Sequence, residues 1–405
     1  MSHRPCPVCS GTAFTPLFDA TIDDFDGTIF DQRILVASCL HCGFGYNICD
    51  FSSSSLEEHY QSEALYQTET GFGVGGTTPA DLARYERYYQ LLKPYLAGRE
   101  RCIVDVGCSK GGFLAFLRQK GQSQVLGVEL DPICASYARS NHGLDVLDGS
   151  ANAIPLPDGK ADILIYSHVL EHLDDPSRAL AETRRVLTND GIVFIEVPDA
   201  LHYAEAKLFD FFHWFGMREH INHFDSAHLS MLMNRAGFDT LATSEAIVSP
   251  YQSTLTPESR HSFPMLAGIF RKGTSAVSHQ PDRNDALSAS LRHYISSQQE
   301  LIDKHRQRIE ELAKSQRPLF VWGIALEFFC VYSFGQLKKC NIRALVDRSE
   351  LKQTKTVNGI TVVPPEALQK APADAAIVIT SSFHADAMLE YLEQINFKGD
   401  VVVFR

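Results

Sequence analysis

Val104-Asp-Val-Gly-Cys-Ser-Lys-Gly-Gly-Phe113 is the stretch that decides the fold of this chain. The apolar run Arg101-Cys-Ile-Val-Asp-Val106 stops at a glycine cluster, and the helical pattern Phe113-Leu-Ala-Phe-Leu-Arg118 begins directly after it. That order is strand, tight turn, helix. Glycine at such a turn lets the backbone come within contact distance of a ligand, and the helix start offers unpaired N–H groups. A second apolar run, Gln124-Val-Leu-Gly-Val128, ends in Glu129, where an acid can accept both hydroxyls of a ribose. The spacing suits a nucleoside cofactor; the competing reading is a close-packed αβ turn without a ligand.

The segments downstream of Glu129 weaken that competing reading. Gly149-Ser-Ala-Asn-Ala-Ile-Pro-Leu-Pro-Asp158 is followed by Ala161-Asp-Ile-Leu-Ile-Tyr166 and Ser167-His-Val-Leu-Glu-His-Leu173. Then come Arg184-Arg-Val-Leu-Thr-Asn-Asp-Gly191 and Ile192-Val-Phe-Ile-Glu196. With these segments, about residues 100 to 272 resemble the class I S-adenosylmethionine (SAM) dependent methyltransferases almost element by element. The resemblance implies an α/β fold with a Rossmann-like doubly wound sheet. It also implies a SAM cradle at Asp105, Gly107 and Gly111, Glu129 on the ribose, and further cofactor contacts at Ser150, Ala151 and His168. Two positions depart from the family. Ser109 stands where a glycine is usual, and Ser150 where an aspartate often reaches the adenine amine, with Asp148 as the alternative.

At 405 residues the chain exceeds one ordinary core, so two or three domains are expected. Its 44% hydrophobic and 21% charged residues describe a soluble globular protein. No apolar run approaches the ~18 residues needed to cross a membrane, and Met-Ser-His-Arg-Pro-Cys6 lacks an apolar signal core, so cytoplasm is the expected compartment. A formal net charge of −12 and the lack of a basic run oppose nucleic acid as a partner. A small substrate, anionic ones included, is compatible with that balance.

Of ten cysteines, six (Cys49, Cys102, Cys108, Cys134, Cys330, Cys340) are scattered and read as buried thiols of a reducing compartment. The other four form two knuckles, Cys6-Pro-Val-Cys9 and Cys39-Leu-His-Cys42, a pattern for one four-sulfur zinc site. Redox thiols are the alternative. Gly11 and Gly43 fit turns that bring amides toward the sulfurs. Four sulfurs leave no open position, so the ion is expected to be structural, holding a lobe too small to bury a core alone.

The expected organisation is a zinc-binding ribbon over 1–55 and a methyltransferase domain over 56–272, with a substrate insertion at 199–235. A linker and long helix follow over 273–316, and a C-terminal Rossmann-like domain over 317–405. In the helix from about Pro79 to Leu96, Leu82, Tyr85, Tyr89 and Leu92 recur at helical spacing and are expected to pack on the sheet. Tyr60 and Tyr66 lie in an irregular segment and are candidates to line a pocket. The insertion is aromatic, from Phe209 to Phe224, and carries His213, His220 and His223, with His228 just beyond. In the last domain, Gly323-Ile-Ala-Leu-Glu327 has one glycine where three are usual for a dinucleotide turn, so a scaffold or substrate-holding role is preferred over NAD binding.

In that order the four parts look like the sugar C-methyltransferases that act on nucleotide-linked keto-deoxysugars, with Val346-Asp-Arg-Ser-Glu-Leu-Lys-Gln353 and Gly359-Ile-Thr-Val-Val-Pro-Pro365 resembling that family's terminal domain. The resemblance implies a nucleoside-diphosphate sugar as substrate. Glu219-His220 matches the family's acid–histidine pair, whose histidine is the general base; His172 matches another active-site histidine and Tyr66 a pocket tyrosine. Met217 and His223 depart from the pattern. Carbon methylation needs an enolate, hence a base beside the carbon α to a ketone and a donor for the developing oxyanion. His220 oriented by Glu219 suits the first task, and His172 or Tyr66 the second. Sugar O-methylation is the runner-up, ahead of rRNA methylation or a SAM-binding protein without turnover.

Overall fold

The computed structural model describes residues 3–23, 33–49, 57–59, 75–205, 212–248, 263–273, 282–381 and 384–404. These fall into two compact units. The first comprises Met1–Thr15, Ala37–Glu205 and Ile221–Ser290, and the second Pro16–Val36, Ala206–His220 and Leu291–Arg405.

Strands β1 (Phe14–Thr21) and β2 (Arg33–Cys39) begin the chain, and the inner end of β2 runs through the second cysteine knuckle to β3 (Gly45–Asn47). Helix α1 (Pro79–Leu96) starts where Thr78 and Asp81 cap each other reciprocally, with Pro79 at a position that needs no amide hydrogen. Its buried stripe is Tyr85, Tyr88, Leu92 and Leu96, and Leu82 is exposed. The expected stripe is therefore displaced: the capping box turns Asp81 inward at the first turn, so Leu82 faces solvent and Tyr88, not Tyr89, lies deepest.

The large sheet of this unit is built from β4 (Ile103–Val106), β5 (Val125–Glu129), β6 (Asp145–Asp148), β7 (Ala161–Ser167) and β8 (Leu187–Pro198). A short β9 (Asn222–His223) pairs with β3, and β10 (Phe238–Val248) and β11 (Phe263–Lys272) complete the set. The strand order is β10-β11-β8-β7-β4-β5-β6, parallel except that β11 runs antiparallel between β8 and β10. Helices α2 (Gly112–Gln119), α3 (Pro132–His142) and α4 (Pro176–Val186) are the crossovers, and α5 (Ser226–Arg235) precedes β10. Asp131, Asp175 and Asp225 cap α3, α4 and α5 by accepting from first-turn amides, which fixes where each helix leaves the sheet. One face buries Tyr85 and Tyr88 of α1 with Phe113, Phe116, Ile163 and Phe194. At roughly 25 cal/mol per Å² of apolar surface, such aromatic burial is the main source of this unit's stability.

In the second unit, most of the long helix α6 (Ala286–Ser315) is followed by β12 (Leu319–Trp322), α7 (Leu326–Ser333), β13 (Ile342–Val346) and the hairpin β14–β15 (Thr356–Val357, Ile360–Val363). Then come β16 (Ala376–Ile379), α8 (Ala385–Gln394) and β17 (Asp400–Val403), in the order β14-β15-β13-β12-β16-β17. Within this unit Phe212, Trp214 and Phe215 of the aromatic insertion are buried, with Phe212 beside Phe18, Phe334 and Tyr294. Gln298 accepts the Phe212 amide at 3.0 Å. No helix of the described residues is long and apolar enough to cross a membrane.

Candidate functional site

The sheet of the first unit reverses its winding between β4 and β7, and the turn after β4 opens at that point. Gly107, Ser109 and Gly111 all take left-handed backbone, with φ of +76°, +49° and +75°. A Cβ on Gly111 would lie 2.5 Å from the Leu144 Cδ1, so only glycine fits there. Ser109, at the position where the family uses glycine, meets a strain of about 1–2 kcal/mol in this conformation. Its amide compensates by donating to Glu129 Oε2 at 2.5 Å. The Gly75 carbonyl accepts from Gly112 at 2.9 Å, so the described end of the glycine-rich segment before α1 lies on the start of α2.

Glu129 is held by three amides, since Leu130 and Asp131 both donate to Oε1 at 2.8 Å. A carboxylate has about four acceptor positions, which leaves about one for a ribose hydroxyl. Asp105 differs: it is buried, and its Oδ1 has no hydrogen-bond partner. Burial, then the Glu129 charge, pushes its carboxyl up to about 7. An orphaned buried acid beside an open left-handed turn fits the ammonium group of SAM, the cation that would restore its charge.

The other expected cofactor residues are placed less uniformly. Asp148 ends β6 and is exposed, with Arg139 donating to it at 2.5 Å. Ser150 pairs across a one-residue bridge with Ala153, and Ala151 is buried. His168 has φ of +57° and sits between two buried acids, with Nδ1 2.9 Å from Glu171 and Nε2 3.6 Å from Glu196. Burial alone would lower its pKa, but the two carboxylates outweigh it and raise it to about 9. Arg87 and the Tyr88 hydroxyl of α1 donate to Glu196. His168 is therefore the cationic link in a buried network joining β8, α1 and the turn after β7. Spacing gave no signal for Glu196 or Tyr88, which meet His168 only across the sheet.

His172 lies in the short helical turn Leu170–His172, its Nε2 3.9 Å from Glu171 Oε1. Glu171 is buried, and its Oε2 has no hydrogen-bond partner. The Ile221 amide donates to the Glu171 carbonyl at 2.8 Å, and Asn222 Nδ2 to the carbonyls of Leu170 and Leu173 at 2.8 and 2.7 Å. These bonds tie the chain just past the acid–histidine pair to the turn after β7. Glu219 and His220 lie in a partly exposed turn that falls within the second unit, where the His220 amide donates to Met217 at 2.9 Å. Tyr60 and Tyr66 lie outside the described residues. His223 is buried between Tyr203 and Asn47, and burial lowers its pKa to about 3, so it stays neutral. His228 is buried too, bridging the Asp225 cap and the Cys42 carbonyl, as expected of a packing histidine.

The two cysteine knuckles converge. Cys6 and Cys42 sulfurs are 3.7 Å apart and those of Cys9 and Cys39 3.4 Å, and all four lie within 4.8 Å of one another. A tetrahedral ion with bonds of about 2.3 Å separates its sulfurs by roughly 3.8 Å, so the cluster is of the right size for Zn2+. Four thiolates this close would repel without a cation. The amides of Gly11 and His41 donate to Cys9 and Cys39 sulfurs at 3.4 Å. Gly43 does otherwise than expected: its amide goes to the Cys39 carbonyl, and its φ of +91° lets the chain pass Asn284, where a Cβ would clash.

Residues 81–243 match the family model described as a methyltransferase domain. A probable S-adenosylmethionine-dependent methyltransferase of Mycolicibacterium smegmatis is 28% identical over 160 residues, 38% of this chain and 58% of the relative. One of Mycobacterium tuberculosis is 28% identical over 125 residues, 31% of this chain and 44% of the relative. The chain thus spans about half the length of these curated relatives. A solved SAM-dependent methyltransferase of Methanosarcina mazei, 17% identical, covers 46% of this chain and 99% of its own with a TM-score of 0.38. The strand order with its antiparallel seventh strand, together with the family match, defines a class I methyltransferase fold. Residues 81–243 are the part of the chain that matches a methyltransferase domain.

Proposed function

We propose that the protein transfers the SAM methyl group to carbon of a nucleotide-linked keto-deoxysugar, through an enolate that His220 generates. For the cofactor, the reading is carried by the left-handed turn Gly107–Gly111 beside the unpartnered Asp105 oxygen. For the substrate, it is supported by the Glu219–His220 pair, in a chain that also holds a four-cysteine cluster and a second, mostly parallel sheet. Asp105 would hold the ammonium of SAM, Glu129 a ribose hydroxyl, and Cys6, Cys9, Cys39 and Cys42 a structural Zn2+.

Bound SAM supplies an electrophilic methyl on sulfur. The protein's part is to form and align the nucleophile. His220 removes the proton α to the ketone, with Glu219 orienting it, and His172 or Tyr66 donates to the oxygen on which negative charge grows. His168, held as a cation by Glu171 and Glu196, keeps the turn that carries His172 in place.

Proton NMR of candidate nucleotide-linked 4-keto-6-deoxysugars, incubated with the protein in deuterium oxide, tests the reading. Loss of the signal from the proton next to the ketone, abolished by His220→Ala, is the expected result. Methyl transfer to a sugar hydroxyl with no exchange would replace it by O-methylation.

A further inference from the structure

A second group of ligating side chains stands at the carboxyl edge of the same sheet. Asp199 directly follows β8 and is buried, and its amide is fixed to the Pro264 carbonyl of β11 at 3.1 Å. Its Oδ1 accepts from the Leu201 amide at 3.1 Å and its Oδ2 from His202 Nδ1 at 2.8 Å. That second bond fixes the ring: Nδ1 carries the hydrogen and Nε2 presents its lone pair outward. His202 sits at a kink in the helical turns of Ala200–Glu205, with φ −117° and ψ 19°, which sets the direction of the ring. Glu205 Oε1 is 4.0 Å from Nε2. Glu245, two strands over on β10, completes the group: one donor atom from each of Asp199, His202 and Glu245 lies within 4.8 Å of the others.

Three carboxylates therefore face one imidazole. Among the described residues no Lys or Arg pairs with Asp199, Glu205 or Glu245, so a single proton on His202 is the positive charge that those residues supply there. Excess negative charge around a directed imidazole nitrogen, with a buried acid on the other ring nitrogen, is the arrangement by which proteins orient a metal-binding histidine.

We propose that His202 and Glu245, with Glu205 4.0 Å from the His202 Nε2, bind a divalent cation of the manganese-to-zinc series, and that Asp199 holds the histidine ring. One nitrogen with carboxylate oxygens suits these ions, and the partial exposure of His202 and Glu245 leaves positions for water. The site is separate from the four sulfurs, which select a softer ion.

Zinc-loaded protein titrated with Mn2+, followed by the electron paramagnetic resonance signal of the free ion, tests this, because Mn2+ does not displace zinc from four thiolates. One Mn2+ per chain is expected, bound at least tenfold more weakly by His202→Gln and by Glu245→Gln, and roughly 10–100-fold more weakly by Asp199→Asn. Glu245 is exposed, so its variant keeps the fold. Equal binding by wild type and Glu245→Gln, or no binding by wild type at millimolar Mn2+, overturns the proposal.

Discussion

The molecule contains two strand–turn–helix units of the same plan, and they end differently. After β4, the turn Gly107–Gly111 stays open, with one acid, Asp105, buried and unpartnered. After β12, the corresponding turn is filled by its own side chains. Thr380 donates to the Gly323 carbonyl at 2.6 Å, and a Cβ on Gly323 would meet Ser381 at 2.9 Å. The acid after β13, Asp347, accepts from the Ile324 amide at 3.2 Å and from Lys352 at 2.9 Å. Ile324 is itself buried. The two turns thus differ in their acids: Asp105 Oδ1 has no hydrogen-bond partner, whereas Asp347 is held by an amide and a lysine.

The largest expected effect contrasts the buried charges of the first sheet with those at the second turn. His168→Asn leaves the buried Glu171 without its cation, while Glu196 keeps Arg87 and Tyr88, and should cost about 3–5 kcal/mol in denaturant unfolding. Lys352→Met at the second turn breaks a half-exposed pair and should cost less than about 1 kcal/mol. The His168 pKa is raised from 6.5 to about 9, so its contribution is fully present below pH 6.5 and lost as pH rises through 9. Wild type should lose roughly 3 kcal/mol across that window and His168→Asn should not. Equal costs for the two variants would erase the contrast.

Next in size, Gly111→Ala should weaken SAM binding at least tenfold in calorimetry, since its φ of +75° and the Leu144 contact leave no room for a methyl group. Gly323→Ala, also left-handed, should destabilise its own sheet and leave SAM affinity unchanged. The smallest effect concerns pH. Asp105, raised to about 7, must lose its proton to hold an ammonium, so SAM affinity should fall up to tenfold for each pH unit below about 7. In Asp105→Asn that slope should vanish with most of the affinity.

How much of this was legible depends on how local each signal is. The glycine turn, the CxxC knuckles and the helix from Pro79 to Leu96 are written in neighbouring residues and appear in the structure where the spacing placed them. Strand β10 was not, because Phe238–Val248 lacks strict alternation and is recognised only by its pairing with β11. The hairpin at Asn358-Gly359, both left-handed, carried a readable turn signal. The acid–base chemistry around β7 and β8 was half legible: His172 and His168 stand in a motif, whereas Arg87 and Tyr88 reach Glu196 from 109 and 108 residues away.

The sequence by itself determined which segments become strands, turns and helices around the glycine turn, and that four thiols stand in two knuckles, because backbone preference and ligand spacing act over a few residues. Only the tertiary structure decided which turn stays open, which acid is left without a partner and which histidine is held as a cation. Those properties follow from burial and from charges brought together across the sheet, and a low-dielectric interior makes both decisive.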